Sequence, residues 1–528
     1  MMPDSKQENP FVFDQSAFEN FCAGMVGANF SPVPGTGRAE WIGPLPESLK
    51  GLTDARTIRV RIPHGWPAVA AKPSVAGLVA DHATSAAGVI CLWASDDPAQ
   101  VKAQTWDTFS ARLDSWAQRS LTAFQEEDRA LDAWAYYSPL SPRVAEIDLP
   151  ELLGPSPQNG DLHVVYGTTA RLLTFGKARD EDHPLQGVVL FRDAVKSSPR
   201  NLEQFRDSLT RRQRDNLRHG LSRRETTAEN QPSSGYDFAV LVWPKFGQFE
   251  AIVISFEGAG ASLVSKSHVT SPNDTVSRLR RAGPDAAQLA AKRAVIVGVG
   301  SVGSQVAQTL AASGIGNILL SDSDDLRSVN LVRHALPEYL VGFPKTRGMV
   351  IRLAGTAPWC NVETTGAMPV KPAEIAEVVR GADLVIDCTG NFATTLSISH
   401  ACQSMGIALI AGSLAREGRI FRLQRQIPGD VPILQRNPSE YPRVPPDPED
   451  EAPRFLELGC TAPVNNAPPA AVTRAAADLA MASIDLLLGS PLAGEEIVTV
   501  LRPINSAPFD VVGTHVFPAP PPQLHDVT

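Results

Sequence analysis

Apolar residues are spaced in different ways along this chain, and each spacing predicts a different kind of element. From Lys292 onward, short unbroken apolar runs at 294–297, 318–320, 384–386 and 408–410 alternate with helical stretches, the first opening at Ser301. Unbroken runs of that length are strands covered on both faces, so the region reads as a doubly wound, parallel α/β sheet. Nearer the start, strand-like patches at 57–62 and 88–93 precede a stretch over 99–125 in which Phe109, Leu113 and Trp116 recur at spacings of four and three. That is one face of an amphipathic helix, and the block reads as an α+β unit.

A Pro- and Gly-containing segment, 149–160, opens a second block. Strands are predicted at 163–165, 187–191, 238–243 and 251–256, with a polar loop at 226–235. A helix predicted over 201–224 carries Arg206, Arg211, Arg212, Arg214, Arg218, Arg223 and Arg224. A charge run of this kind reads as a solvated face, and no chemistry is assigned to it.

Proline then changes the picture. Eleven of the 44 prolines fall between Pro428 and Pro469. A stretch so short of backbone donors cannot run through a sheet, so it reads as a long crossing loop. It ends at Pro468-Pro469 in an Ala-rich helix reaching Leu488, with Gly489 to close it. The Pro-rich tail reads as disordered. The expected domains are 1–148, 149–280 and 281–510, with a tail at 511–528.

The chain has 528 residues, more than one hydrophobic core serves. A net charge of −9 provides no general field for a nucleic-acid backbone. No apolar run is long enough to span a membrane, and the first residues lack a signal-peptide layout, so a cytoplasmic location is expected. The six cysteines, Cys22, Cys91, Cys360, Cys388, Cys402 and Cys460, include no C-x-x-C pair for zinc and are too scattered for a disulfide framework.

Candidate chemistry starts at Gly298-Val299-Gly300-Ser301-Val302-Gly303, which follows a strand and opens a helix. Such a loop turns tightly and offers free amides to a phosphate at the positive end of the helix. Asp322, 19 residues after Gly303, stands where a carboxylate can accept ribose hydroxyls. Those features alone favour a NAD dehydrogenase.

The residues that follow point elsewhere. Asp322-Ser323-Asp324, the run from Ser328 through Asn330 and Arg333 to His334, Gly342 to Lys345, and Asp387-Cys388-Thr389-Gly390-Asn391 occur in that order. This series resembles the signature of the activating-enzyme family, which includes ubiquitin-activating enzymes and the ThiF and MoeB adenylyltransferases. His334 stands where the family has glutamine. The resemblance covers about 280–503 and implies a Rossmann-like fold, ATP and Mg²⁺. Gly298, Gly300 and Gly303 would form the phosphate loop and Asp322 would take the ribose. Asn330, Arg333 and Lys345 would hold phosphates, Asp387 would hold Mg²⁺, and Asp324 would lie close by. An upstream arginine, Arg278, Arg280 or Arg281, would reach the ATP of a dimer partner. The physics agrees, because a carboxylate attacking the α-phosphorus brings two anions together and needs cations around them.

Two cysteines fit acyl transfer. Cys460-Thr461, at the end of the crossing loop, resembles the transfer site of activating enzymes, where a thiolate near cations or a helix N-terminus attacks the adenylate. His82, followed by Gly88-Val89-Ile90-Cys91-Leu92, resembles the active-site region of ubiquitin-conjugating enzymes. The family's His-Pro-Asn is His82-Ala83-Thr84 here, so the asparagine of oxyanion support is absent and His82 reads as structural.

A conjugating-like domain, a linker and an activating domain on one chain resemble the bacterial fused enzymes, including the Cap-two-type transferases of CBASS anti-phage operons. The resemblance implies a homodimer that acts on a cGAS-like nucleotidyltransferase or a ubiquitin-like protein and ligates its C-terminus to a target amine, with no membrane or nucleic-acid partner. A sulfur-carrier adenylyltransferase with Cys460 in persulfide chemistry, and a non-enzymatic scaffold, remain open alternatives.

Overall fold

The computed structural model describes residues 10–80, 82–84, 88–93, 98–122, 132–154, 160–166, 172–176, 184–229, 231–245, 248–445, 466–490 and 494–518. The chain divides into two compact units, Met1–Asp274 and Thr275–Thr528.

The first unit holds two sheets. Helix α1 (Gln15–Gly27), capped by Asp14 accepting from the Ala17 amide, leads into six short strands: β1 (Ser31–Pro32), β2 (Glu40–Pro44), β3 (Thr57–Arg61), β4 (Lys72–Ser74), β5 (Ala83–Thr84) and β6 (Val89–Ile90). They pair in the order β1-β2-β3-β4-β6-β5. Helix α2 (Trp106–Thr122) follows and buries Phe109, Leu113 and Trp116, as their spacing predicts. These side chains share a core with Phe18, Phe21 and Met25 of α1 and with Ile58 and Val60 of β3.

The second sheet closes into a barrel. Its members are β7 (Leu140–Ile147), β8 (Gly160–Tyr166), β9 (Leu172–Gly176), β10 (Leu185–Phe191), β11 (Phe238–Lys245), β12 (Gln248–Glu257) and β13 (Val264–Pro272), in the order β10-β11-β12-β13-β7-β9-β8, closed by β8 pairing with β10. Strand β7 precedes position 149, the expected start of the middle domain, and it pairs with β13 and β9. Helix α3 (Leu149–Leu153) follows β7. Alternation along β11 divides two cores: Ala239, Leu241 and Trp243 pack with Phe205, Leu217 and Leu221, while Val240 and Val242 pack with Ala145, Ile147 and Val253.

The single basic helix expected over 201–224 is two helices, α4 (Leu202–Asp207) and α5 (Arg211–Ser222). Thr210 starts α5 with a capping box: its hydroxyl accepts the Gln213 amide, and Gln213 returns the bond to the Thr210 amide. Arg206, Arg211, Arg212, Arg214, Arg218 and Arg223 are exposed, as a solvated face requires. Arg224 is the exception. It is buried, ion-paired to Asp237 at 2.7 Å, and bonded to the carbonyls of Tyr236, Phe256 and Gly258.

The second unit is the doubly wound sheet. After the short helices α6 (Thr275–Leu279) and α7 (Ala286–Leu289) come β14 (Arg293–Val297), α8 (Ser301–Ala312), β15 (Asn317–Ser321), α9 (Lys345–Thr356), β16 (Asn361–Thr365), α10 (Pro372–Val379), β17 (Leu384–Asp387), α11 (Phe392–Met405), β18 (Ala408–Ala415), β19 (Ile420–Gln426), α12 (Pro469–Leu487), β20 (Glu496–Val500) and β21 (Gly513–Phe517). The sheet order is β16-β15-β14-β17-β18-β19-β20-β21, parallel through β18 and antiparallel beyond it. Alternate residues of each strand enter separate cores, Ala294 and Ile296 beneath α8, α9 and α12, Val295 and Val297 against α10 and α11. Gly513–Phe517, expected to fall in a disordered tail, is the last strand, because its backbone completes the ladder that β20 leaves open on one side.

Candidate functional site

In this sheet the order reverses between β14 and β17, and ligands of such folds bind beyond the carboxyl ends of the strands at that crevice. The expected phosphate loop starts there. Gly298 has φ +83°, and a Cβ on it would lie 3.0 Å from the backbone of Cys388 and Thr389. A Cβ on Gly303 would stand 1.9 Å from the Gly298 carbonyl oxygen, so only glycine lets α8 pack onto its own loop. Gly300, the residue before α8, meets nothing within 4 Å. Gly300, as the N-cap, has no side chain to cap the first amides of α8, and among the described residues no such capping bond is made there, at the positive end of the helix.

Asp322, one residue past β15, braces this loop. Its Oδ2 accepts the Val299 amide at 2.7 Å and its Oδ1 accepts the Asp324 amide at 2.8 Å. The Val299 carbonyl is held from the other side by His334 Nε2 at 2.8 Å, while His334 Nδ1 accepts the Leu336 amide at 3.1 Å. Burial, the largest influence, holds the His334 imidazole below its ordinary value. The residue that departs from the family signature is therefore part of the loop's frame, a role the sequence reading did not give it.

The segment around it is stitched to α8. Gln305 Nε2 donates to the Arg333 carbonyl at 2.9 Å, and the Ala335 amide donates to Ser304 Oγ at 3.2 Å. Asn330 Oδ1 accepts the Arg327 amide. Arg333 Nη1 donates to the Ala467 carbonyl at 3.1 Å, which ties the start of α12 to this segment. Lys345, buried at the start of α9, pairs with Asp324.

Asp387 ends β17 opposite Val297. It is 1% exposed, and burial raises it above the usual carboxylate range. Oδ1 accepts the Thr389 amide and hydroxyl, and Oδ2 accepts the Thr395 hydroxyl at 2.5 Å. A carboxylate has about four acceptor positions, so one on Oδ2 stays uncommitted. That suits a single carboxylate contact to Mg²⁺ whose other ligands are phosphates and water. Among the described residues no group of three His, Cys, Asp or Glu could hold a metal alone. Arg278, Arg280 and Arg281 are all exposed, and Arg278 donates to the Gly355 carbonyl at 3.4 Å.

Burial raises four thiols: Cys22 to about 11, Cys360 and Cys402 to about 12, and Cys388 further still. Burial thus keeps these four thiols protonated, as suits packing atoms. Cys91 lies in the first unit, half-buried, directly after β6. Its amide donates to the His82 carbonyl at 2.7 Å, and the His82 amide donates to Tyr136 Oη at 3.0 Å. Arg200 Nη2 holds the same turn through the Ala80 and Ala83 carbonyls at 3.2 and 2.9 Å. Cys460 lies outside the described residues.

Residues 276–499 match the ThiF family. Molybdopterin-synthase adenylyltransferase of Haemophilus influenzae is 34% identical over 135 residues, 25% of this chain and 55% of that protein. SAMP-activating enzyme E1 of Haloferax volcanii is 34% identical over 144 residues, 27% of this chain and 53% of that protein. The chain thus spans about half the length of these curated relatives. The crystal structure of E. coli MccB with succinimide overlaps 44% of this chain and 66% of its own, at 21% identity and a TM-score of 0.34. With its mixed α/β architecture and the glycine loop at the sheet's switch point, the segment 276–499 is a Rossmann-like domain of the ThiF family.

Proposed function

We propose that this chain is an ATP-dependent adenylyltransferase that activates the C-terminal carboxylate of a protein or peptide. The observation that carries this reading is the convergence of an uncapped helix start behind Gly300, the ribose candidate Asp322, the cationic Arg333 and Lys345, and Asp387 around one switch point. The printed names of the two relatives, an adenylyltransferase and an activating enzyme, support the same class.

The substrate carboxylate attacks the α-phosphorus of ATP, a P–O bond forms, and pyrophosphate leaves. Amides of Gly300–Ser301 and the Asn330 carboxamide donate hydrogen bonds to the phosphates, the cations of Arg333 and Lys345 neutralise them, and Asp322 orients the ribose. Mg²⁺ arriving with ATP would rest on Asp387 and supply further neutralisation of phosphate charge.

The finer reading is a relay. The Cys460 thiolate attacks the acyl carbon and AMP leaves; the Cys91 thiolate displaces Cys460; an amine displaces Cys91 and forms an amide. Each leaving group departs with the electron pair of the broken bond, and the thioester stays reactive enough for aminolysis. The proposed system is bacterial anti-phage defence of the CBASS type, with a cGAS-like nucleotidyltransferase as the protein primed, or a ubiquitin-like protein in a related conjugation operon. We also propose a cytoplasmic homodimer. Val329, Val332, Tyr339, Phe343 and Ile351, exposed within one stretch beside the site, support a second copy there.

The test is pyrophosphate exchange together with non-reducing electrophoresis of wild type, Cys91→Ala and Cys460→Ala, with ATP and candidate acceptors. Exchange without a thiol-sensitive adduct leaves the adenylyltransferase and removes the relay. A sulfur-carrier activator is the second reading, compatible with the adenylyltransferase named among the relatives, and it would modify its carrier with Cys91 dispensable.

A further inference from the structure

We propose that His334 is a positioning residue for the nucleotide loop: as its neutral Nε2–H tautomer it bridges the Val299 carbonyl and the Leu336 amide, and a second proton breaks the Leu336 side of that bridge, so that the ring is no longer fixed against the loop. The inference rests on the ATP reading only for its effect on binding; the clamp itself is a matter of hydrogen bonds.

The tautomer follows from the partners. The Leu336 amide can only donate, so Nδ1 is the acceptor in their 3.1 Å contact. The Val299 carbonyl can only accept, so Nε2 carries the hydrogen in their 2.8 Å contact. Val299 is thereby gripped at both ends of its own residue, amide by Asp322 and carbonyl by His334. It lies between Gly298 and Gly300, the two glycines that give the loop its freedom. His334 is 8% exposed, so neither contact is shared with bulk water.

A doubly protonated ring has no acceptor. The Leu336 amide and Nδ1–H would then face each other as two donors, and one must withdraw. The charged groups acting on the ring are Lys345 of α9, which opposes a second proton, and Asp322 after β15, which favours it; burial opposes it most. Arg333 precedes it on the same segment and turns its guanidinium to Ala467. The ring therefore stays neutral at pH 7 and takes the proton only below about 6.5, its ordinary value.

A glutamine amide offers the same pair, one acceptor and one donor, without a titrating proton. That equivalence sets the experiment. ATP affinity of the full chain is measured by calorimetry from pH 8 to pH 5.5 for wild type, His334→Gln and His334→Leu. Wild type should lose affinity by about three- to tenfold, the worth of one neutral hydrogen bond, as the pH falls beneath the ring's lowered pKa, and an affinity that follows His334→Gln throughout overturns the proposal. His334→Gln should hold its affinity relative to wild type across that range, and His334→Leu should be weakened at every pH. Titration of ATP itself acts equally on all three proteins and cancels in the comparison. An acid limb that persists in His334→Gln, or a His334→Leu that binds like wild type, overturns the proposal. If none of the proteins binds ATP at pH 8, the nucleotide reading fails, and hydrogen exchange at Leu336 decides the clamp. Protection lost in acid by wild type and kept by His334→Gln supports it; equal protection overturns it.

Discussion

Asp324 and Lys345 hold each other twice, through Oδ2 and Nζ at 2.7 Å and through the Asp324 carbonyl and the Lys345 amide at 2.9 Å. The double contact parks a buried ammonium at the start of α9 while the carboxylate that pairs with it stays 69% exposed. In the proposed reaction the ammonium is needed for phosphate charge and the carboxylate only for storage. Lys345→Ala should therefore lower pyrophosphate exchange by about 10² or more, yet change stability by about 1 kcal/mol or less, since an ion pair open to water on one side contributes little. Asp324→Asn should keep most of the exchange rate. Exchange assays beside thermal unfolding separate the two effects, and equal losses in both variants would contradict this division.

The glycines of the loop should respond in opposite ways. Gly303→Ala puts a methyl 1.9 Å from the Gly298 oxygen, so α8 must move and the second unit should lose stability. Gly300→Ala meets no neighbour and requires no left-handed backbone, so the fold should persist. Exchange should still fall in Gly300→Ala, because the methyl stands where a phosphate has to approach. A Gly300→Ala protein with full exchange would place the phosphates elsewhere.

Acid should weaken the barrel through one histidine. His268 is wholly buried, and Glu229 Oε1 is 3.9 Å from Nε2. Burial brings its pKa from 6.5 to about 4. Because the native value is depressed, the folded state keeps the ring neutral while the unfolded chain takes a proton. Stability is then complete above pH 6.5 and falls as the pH drops toward 4, by about 3 kcal/mol in all. Glu229, held low, adds its own loss only below about 4.5. Denaturant melts followed in the first unit should show a slope between pH 6.5 and 4.5 that His268→Leu flattens; an unchanged slope would assign it to other groups.

A third buried group tests the sheet. Glu496 is fully enclosed and receives Arg422 Nε at 2.8 Å, Gln424 at 2.7 Å and Arg436 at 2.9 Å. Glu496→Ala takes from buried Arg436 its nearer carboxylate, leaving it Glu495 at 3.7 Å, and removes the carboxylate that Arg422 pairs with. The second unit should lose about 3–5 kcal/mol by denaturant titration. A loss below 1 kcal/mol would mean that water reaches Arg436.

The sequence carried the parallel half of the second unit because its signals are local. Unbroken apolar strands such as 294–297 need no partner to be recognised, and Gly298 to Gly303 mark their own turn. The barrel was much less legible, since its closure depends on β8 meeting β10 and β7 meeting β13, pairings more than a hundred residues apart in the second case. Arg224 shows the same limit: six arginines nearby obey the solvated-face pattern, and the seventh is buried because Asp237 and three carbonyls await it from other strands. The capping Thr210 was visible in principle, as Thr-x-x-Gln, but the arginine run masked it. At the site, the places of Asp322 and Asp387 at the ends of β15 and β17 were legible from motif order. The bond from His334 to Val299 was not, because nothing in a linear string says that a departure from a signature has kept the same donor and acceptor.

The place of β21 at the sheet's edge has a practical consequence for handling this protein. Phe517 pairs with Glu496 across the last ladder, so the strand at 513–517 closes the backbone edge beside that buried acid. Shortening the chain to a point before Gly513 would open a raw hydrogen-bonding edge directly beside that acid and invite sticking between molecules. A tag appended after the final residue leaves the seam closed. Expression trials that trim the apparently dispensable end would thus be judged by solubility long before any assay of catalysis.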